Sequence, residues 1–114
     1  MKNSDTKVKK FKMSAMQKEV DKWMRQFPEG YWPFGDMMMT LMEEVGEVAR
    51  ELNHLHGSKK KKATEDKGDL AGEIGDVLFV LNCIATKSGI SLDDAFAKTM
   101  QKKWKRDNYR FKRK

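Results

Sequence analysis

The feature that most constrains this fold is a five-residue pattern that the chain contains twice. Residues 44–48 read EVGEV and residues 73–77 read EIGDV, so each copy has an acid, a β-branched residue, glycine, a second acid and valine. Each copy lies in a segment whose apolar residues recur every three or four positions, as they do on the buried face of a helix. Buried carboxylates are costly, so two such helices must place their acids where something offsets the charge.

Apolar periodicity and end signals predict four helices and no strand. A capping-box pattern at 14–17 begins the first helix, Asp36 and Gly57 bound the second, and Ser91 caps the fourth. The connections are short, which favours an all-α, compact four-helix bundle-like domain with consecutive helices antiparallel. The predicted helices cover residues 14–27, 36–56, 69–87 and 91–107.

Length and composition indicate one globular domain over residues 1–114. Hydrophobic residues make up 39% of the chain and charged residues 36%, a balance typical of a protein with a modest core. No apolar run reaches the roughly 20 residues that a membrane span needs, so we expect no membrane partner. The N-terminus lacks the apolar stretch of a signal peptide, and Cys83 has no cysteine to pair with. These features predict a cytoplasmic protein.

The formal net charge of +7 is concentrated at the two ends of the chain. Residues 1–12 contribute +4 and residues 102–114 contribute +7, which leaves −4 on the body. We interpret residues 1–12 and 108–114 as basic, flexible ends. A nucleic-acid-binding protein is expected to spread basic residues over a folded face, so nucleic acid is a disfavoured partner. A basic helical nucleic-acid-binding module is kept as the alternative function.

The repeated acids are expected to meet between the second and third helices. Glu73 and Asp76 lie in a helix that is apolar nearly all round and therefore predicted to be buried. Glu44 and Glu47 flank the apolar stripe of the second helix, so the two pairs can face each other. Four such carboxylates require a divalent cation, and all-oxygen ligands favour Mg²⁺, with Mn²⁺ as a substitute. The alternative is solvated acids, with Glu47 paired to Arg50.

A second metal-binding pattern lies further along the second helix. Glu51 and His54 form an ExxH pair, the element that di-iron carboxylate bundles use twice. The third helix has Asp76 where the second histidine would be required. A di-iron bundle is therefore the weaker alternative.

The spacing of the acids resembles that of a known family. Residues 43–47, EEVGE, followed by residues 73–76, EIGD, resemble the EExxE…ExxD signature of MazG-like nucleotide pyrophosphohydrolases, and the resemblance extends over residues 16–111. It implies an all-α domain, Mg²⁺ dependence and a homo-oligomer, either a dimer or a tetramer. It also implies hydrolysis of a nucleoside triphosphate to monophosphate and pyrophosphate, in a role such as nucleotide-pool cleaning. By position, the implied metal ligands are Glu44, Glu47, Glu73 and Asp76, and Glu43 is the catalytic carboxylate that orients or deprotonates water.

The substrate-binding residues are expected in two further segments. The family has a basic segment after its last helix, and lysines 59–62 are a second candidate for binding phosphate. Aromatic residues precede the second helix, where they can flank a base, although we expect at least one of them to lie in the core. The candidates are Lys103, Arg106 and Arg110 for phosphate, and Tyr31, Trp32 and Phe34 for the base.

Overall fold

The computed structural model describes residues 12–59, 61–62 and 68–112. The predicted all-α class is confirmed, since the described residues form four helices and no strand. Residues 1–11 and 113–114 of the predicted flexible ends, and residues 60 and 63–67 of the long loop, lie outside the described residues. The helices are α1 (Ser14–Met24), α2 (Phe34–His56), α3 (Leu70–Lys87) and α4 (Leu92–Lys102), and α4 continues as a π-helical turn at Lys103–Asp107.

Helices α3 and α4 both begin with side-chain caps, and the cap of α4 at Ser91 is the predicted one. The Asp69 carboxylate accepts a hydrogen bond from the Gly72 amide at 3.0 Å, and the Ser91 hydroxyl accepts one from the Asp94 amide at 3.2 Å. Each cap satisfies an amide in the first helical turn that has no partner within its helix. Gly89 ends the α3 segment with a φ of 70°, a left-handed conformation that glycine adopts without steric cost.

The predicted capping box at the start of α1 is wrong. Ser14 is already helical, and Met13 before it provides no side-chain cap. The Gln17 side chain bonds instead to a distant part of the chain. Its Nε2 donates to the Ile90 carbonyl at 2.9 Å, and its Oε1 accepts from the Leu92 amide at 2.8 Å. Gln17 therefore joins α1 to the connection between α3 and α4.

The start of α2, the conformation of Gly57 after it and the end of α1 also differ from the predictions, whereas α2 ends at the predicted His56. Helix α2 begins at Phe34, directly after Pro33, rather than at Asp36. Proline pre-sets a φ suited to a helix start and has no amide to satisfy. Gly57 follows α2 with a φ of −93° and an extended ψ, so it does not form the predicted left-handed cap. Helix α1 ends at Met24, before the predicted Phe27.

The core lies where α1 crosses the antiparallel pair of α2 and α3. It contains Val20 and Met24 from α1, Met37 from α2 and Cys83 from α3. Met37 and Cys83 are fully buried. Helix α4 packs mainly against α1, and it turns away from α3 through 106°. Among the described residues, no single helix is both long and apolar enough to cross a membrane.

In a single chain, α3 is not covered on all sides. Three apolar side chains on one side of α3 are 40–46% exposed. Four apolar side chains in a row on α2 are 44–65% exposed. On each helix, the exposed row is rotated by about 100° about the helix axis from the residues that form the α2–α3 contact. Because the two helices are antiparallel, rotations in the same sense place both rows on the same side of the pair. We call this surface the apolar face, and it consists of Met38, Met42, Val45 and Leu52 from α2 and Ile74, Leu78 and Leu81 from α3.

Candidate metal centre

Three of the predicted metal ligands converge where α2 and α3 cross. Glu44 lies near the middle of α2, and Glu73 and Asp76 are one turn apart near the start of α3. Each side chain offers one carboxylate oxygen, and these oxygens lie within 4.8 Å of one another. Glu44 and Glu73 are half-buried, whereas Asp76 is exposed. A cation at this place would therefore have ligands on one side and access for substrate on the other.

The electrostatics of this carboxylate group suit a bound cation. Partial burial raises the pKa of Glu44, and the neighbouring charges of Asp76, Glu43 and Glu47 raise it further. Partial burial likewise raises the pKa of Glu73, followed by the charge of Glu47 and a hydrogen bond with Asp76. Each cause penalises the negative form of the acid when no cation is present. A hard divalent ion reverses that penalty, so the residues present fit such an ion.

Glu47, the fourth predicted ligand, lies beside the group rather than within it. Its carboxylate lies 3.9 Å from Arg50 Nη1. This is the ion pair expected if the acids are solvated rather than bound to a metal. Both side chains are nearly half exposed, and a pair of this kind contributes little stability. Glu47 still raises the pKa values of Glu44 and Glu73, so its charge acts on the group. Glu43 is exposed next to Glu44.

The second metal-binding pattern does not join this centre. Within the described ranges, Glu44, Glu73 and Asp76 are the one group of such side chains close enough to share an ion. Glu51 is only 4% exposed, and its carboxylate lies against the backbone of Gly68, where a Cβ atom would clash with it. Glu51 is thus packed against the backbone just before α3, a contact that the ExxH pattern does not reveal.

Tyr31 is the aromatic candidate that lies in the core. Its ring packs against the buried residues of α1 and α3, and its hydroxyl donates to the Asp21 carboxylate at 2.7 Å. Burial and this hydrogen bond raise the pKa of Tyr31 to about 12. The expectation that at least one of the three aromatic residues is a core residue is therefore met by Tyr31.

Trp32 and Phe34 remain at the surface, 39% and 51% exposed. The Lys87 side chain, at the end of α3, contacts both residues. Its Nζ donates to the Trp32 carbonyl at 2.6 Å and lies 4.4 Å from the centroid of the Phe34 ring. A cation over an aromatic face is attracted by the ring's quadrupole. Sequence reasoning missed this role, because Lys87 is distant from the loop along the chain.

The three C-terminal cations are brought together around one acid. Asp107 carboxylate oxygens lie 3.8 Å from Lys103 Nζ, 3.2 Å from Arg106 Nε and 3.9 Å from Arg110 Nη2. The Asp107 side chain is 10% exposed, and its hydrogen bond with Arg106 lowers its pKa. Asp107 thus orders the cations but neutralises only part of their charge. In the competing segment 59–62, Lys60 lies outside the described residues.

Comparison with known proteins identifies the family. Residues 34–111 match the MazG nucleotide pyrophosphohydrolase domain. The chain therefore belongs to this family of hydrolases, which act on the pyrophosphate bonds of nucleotides and depend on a divalent metal.

Individual relatives agree with this assignment. The chain is 51% identical to YpjD of Bacillus subtilis over 102 residues, which covers 90% of this chain and 92% of YpjD. It is 32% identical to YvdC of the same organism over 98 residues, covering 77% of this chain and 92% of YvdC. The crystal structure of YpjD superimposes with a TM-score of 0.72 at 51% identity, covering 81% of this chain and 94% of that one. The structure of a Bacillus-conserved MazG protein, a nucleotide pyrophosphohydrolase, gives a TM-score of 0.69 at 42% identity, covering 81% of this chain and 88% of that one.

Proposed function

We propose that this protein is a Mg²⁺-dependent nucleoside triphosphate pyrophosphohydrolase that releases monophosphate and pyrophosphate. The observation that carries the proposal is the set of three carboxylate oxygens, from two helices, within 4.8 Å of one another. Hydrolysis of a triphosphate at the α-phosphorus needs mainly positioning and stabilisation of negative charge. An all-oxygen donor set suits Mg²⁺, and Mn²⁺ can substitute for it.

Each acid of the centre has a proposed role. Glu44, Glu73 and Asp76 hold the ion, and Glu47 joins them once its weak pair with Arg50 opens. Bound Mg²⁺ supplies a Lewis acid for the α-phosphate and lowers the pKa of a water molecule. Glu43, which is exposed beside Glu44, orients or deprotonates the attacking water. Hydrolysis at this centre would serve nucleotide-pool cleaning in the cytoplasm, where buried, unpaired Cys83 is stable as a thiol.

The substrate's base and phosphates are assigned to the two segments outside the metal centre. Trp32 and Phe34 offer exposed rings for stacking on the base, and the contacts of Lys87 restrict their loop. Tyr31 supports that loop from the core through its bond to Asp21. The distal phosphates bind Lys103, Arg106 and Arg110, whose cationic groups are exposed.

The protein is proposed to act as a homo-oligomer. The apolar face presents seven large apolar side chains on one side of the α2–α3 pair. A contiguous apolar surface of this kind is typical of a protein contact. A second copy of the chain offers the same surface, so a symmetric pairing of the two faces would cover both of them.

The first prediction concerns the bond that is broken. Reaction of nucleoside triphosphates with Mg²⁺ in ¹⁸O-labelled water should place the label in the monophosphate, because water attacks the α-phosphorus. Mass spectrometry of both products measures this directly, and a panel of normal and modified nucleotides identifies the preferred base. The matched variant Glu73→Ala should form neither product.

Other product patterns would contradict the proposal. Label in pyrophosphate would mean attack at the β-phosphorus. Release of orthophosphate alone would indicate a different phosphatase reaction. Binding of nucleic acid that weakens steeply with salt, without any hydrolysis, would instead favour the alternative function.

A further inference from the structure

The metal centre is the middle one of three layers at which α2 faces the α3 segment. Met37, Glu44 and Glu51 follow one another at intervals of seven residues, so they lie on one side of α2, each about two turns from the next. Met37 lies in the core cluster with Cys83. Glu44 lies in the carboxylate group, and Glu51 lies against the backbone of Gly68. The third layer therefore places an acid at the beginning of the α3 segment.

The Glu51 contact joins α2 directly to the main chain. Glu51 is almost fully buried, and its carboxylate occupies the space in which a Cβ atom of residue 68 would lie. Because Gly68 has no side chain, the carboxylate reaches the backbone itself. Burial of a carboxylate costs free energy, so an acid at this position calls for an explanation other than packing.

The backbone at Gly68 leads to the ligand Glu73 through the cap of α3. Gly68 is followed by Asp69, whose carboxylate accepts a hydrogen bond from the Gly72 amide and whose carbonyl accepts one from the Glu73 amide at 3.0 Å. Glu73 lies in the first turn of α3, whereas Glu44 lies near the middle of α2. Helix ends fray more readily than helix interiors. The position of Glu73 therefore depends on what holds the backbone before α3.

Helix α1 holds α3 at the opposite end. Gln17 Nε2 donates to the Thr86 hydroxyl at 3.3 Å, and the ring of Trp23 packs edge-on against Phe79 with the centroids 5.7 Å apart. Thr86 and Phe79 both lie in the second half of α3. The Glu51 contact acts at the other end, where α3 presents its two metal ligands.

We infer that Glu51 is a positioning residue of the metal centre. By holding the backbone before α3 against α2, it keeps the Glu73 carboxylate beside that of Glu44, so that both can bind one ion. Glu51 is not among the three carboxylates that can share the ion, so it acts through the main chain. The inference rests on the proposed function, in which these carboxylates bind a divalent ion, and it adds a residue on which the affinity for that ion depends.

Binding of Mn²⁺ alone tests the inference without requiring hydrolysis. The electron paramagnetic resonance signal of free Mn²⁺ measures binding in the absence of nucleotide. Glu51→Ala removes the contact, so we expect Mn²⁺ to bind about tenfold more weakly. The Mg²⁺ concentration that gives half-maximal hydrolysis should rise by a similar factor, with kcat at saturating Mg²⁺ close to that of the wild type. Glu51→Gln keeps the size of the side chain and should bind Mn²⁺ as the wild type does.

Gly68→Ala disturbs the same contact from the other side. The backbone of Gly68 is not left-handed, so alanine is tolerated there, but its methyl group displaces the Glu51 carboxylate. This variant should also bind Mn²⁺ more weakly, and adding Glu51→Ala to it should cause little further loss. A sum of two separate losses in the double variant would contradict the inference, because the two residues would then act independently.

Met24→Ala is the control for a general loss of stability, because Met24 is buried on α1 in the core cluster. It should lower the melting temperature and leave Mn²⁺ affinity unchanged. If Glu51→Ala behaves in the same way, Glu51 is a packing residue and the inference is wrong. Weak Mn²⁺ binding by Glu51→Gln would mean that Glu51 acts through its charge, which would also overturn the inference. Wild-type protein that binds Mn²⁺ but hydrolyses no nucleotide would contradict the proposed function and leave the role of Glu51 intact.

Discussion

Glu44, Glu73 and Asp76 repel one another until a cation binds, and the stability of the metal-free protein should reveal this repulsion. The raised pKa of Glu73 means that its contribution to stability is fully present below its ordinary value near 4.5 and is lost as pH rises through the folded value. At neutral pH, metal-free protein therefore carries a penalty. We expect Glu73→Gln to raise the melting temperature in chelator at pH 7, and the increase should shrink as pH approaches 4.

The same variant should respond weakly to metal. Excess Mg²⁺ stabilises the wild type by binding its folded state, and Glu73→Gln should gain less and should lose hydrolysis. Glu19→Gln, on the exposed side of α1, is a control for removing a negative charge elsewhere. Thermal scans with chelator and with Mg²⁺ provide both comparisons. An equal increase in the two variants without metal would mean that the repulsion is not local to the centre.

Tyr31 provides a second prediction for a single residue. Its pKa of about 12 means that the stability from its neutral hydroxyl is fully present below pH 10 and is lost as pH rises through about 12. Tyrosinate absorbance should therefore show a late step near pH 12 in folded protein. The Tyr31→Phe variant should lack that step, because it has lost the hydroxyl that donates to Asp21. A late step that persists in Tyr31→Phe would contradict the assignment.

At the level of single residues, the sequence predicted which acids lie close together better than it predicted their surroundings. The spacing of Glu73 and Asp76 places both on one side of α3, and this requires no knowledge of the rest of the fold. The burial of Asn82 is not predicted from the sequence, because the hydrophobic pattern of a helix assigns a polar amide side chain to the surface. In the structure it is fully buried, and its Nδ2 donates to the Leu78 carbonyl of its own helix at 2.7 Å. Lys87 was missed because its partners lie far away along the chain.

Among the helices, local signals predicted some ends and not others. The predicted cap at Ser91 uses atoms within one turn, so a short sequence pattern contains all that is needed. The capping box at Ser14 does not form because the Gln17 side chain makes hydrogen bonds across the fold instead, to the Ile90 carbonyl and the Leu92 amide. A side chain with two possible sets of partners cannot be assigned from its local pattern alone. Tertiary contacts decide such cases.

Gln17 is therefore predicted to stabilise the corner between α3 and α4. Gln17→Ala removes hydrogen bonds to Ile90 and Leu92, so we expect the free energy of unfolding to fall by about 1–2 kcal/mol. Gln26→Ala is the matched control, because the Gln26 side chain is exposed and bonds locally to the Trp23 carbonyl. Urea denaturation of the three proteins measures the difference. Equal stability of the two variants would mean that the corner is held by other contacts.

For the whole molecule, hydrophobic periodicity indicates which surfaces must be covered but not which chain covers them. The apolar character of α3 led to the expectation of a helix buried on all sides, yet Ile74, Leu78 and Leu81 face outward in one chain. Together α1, α2 and α4 leave this side of the molecule open. A small domain has a large surface for its volume, so a helix of this kind requires a partner. The sequence predicts that so short a chain cannot cover α3 by itself and that a second copy covers it. The exposed residues agree with the first part, and the second part stays a prediction.

The apolar face yields the last prediction, which compares two adjacent methionines on α2. Met38 belongs to this face and is 51% exposed, whereas Met39 points about 100° away and is 71% exposed. A lysine at position 38 would place a charge in the contact between two copies, and burying that charge costs far more than burying methionine. We expect Met38→Lys to shift the protein to monomer in light scattering after size exclusion. Met39→Lys introduces the same charge at the more exposed neighbour, so it should leave the assembly unchanged. If both variants keep the wild-type mass, or if Met39→Lys alone dissociates the protein, the second copy does not dock on the apolar face.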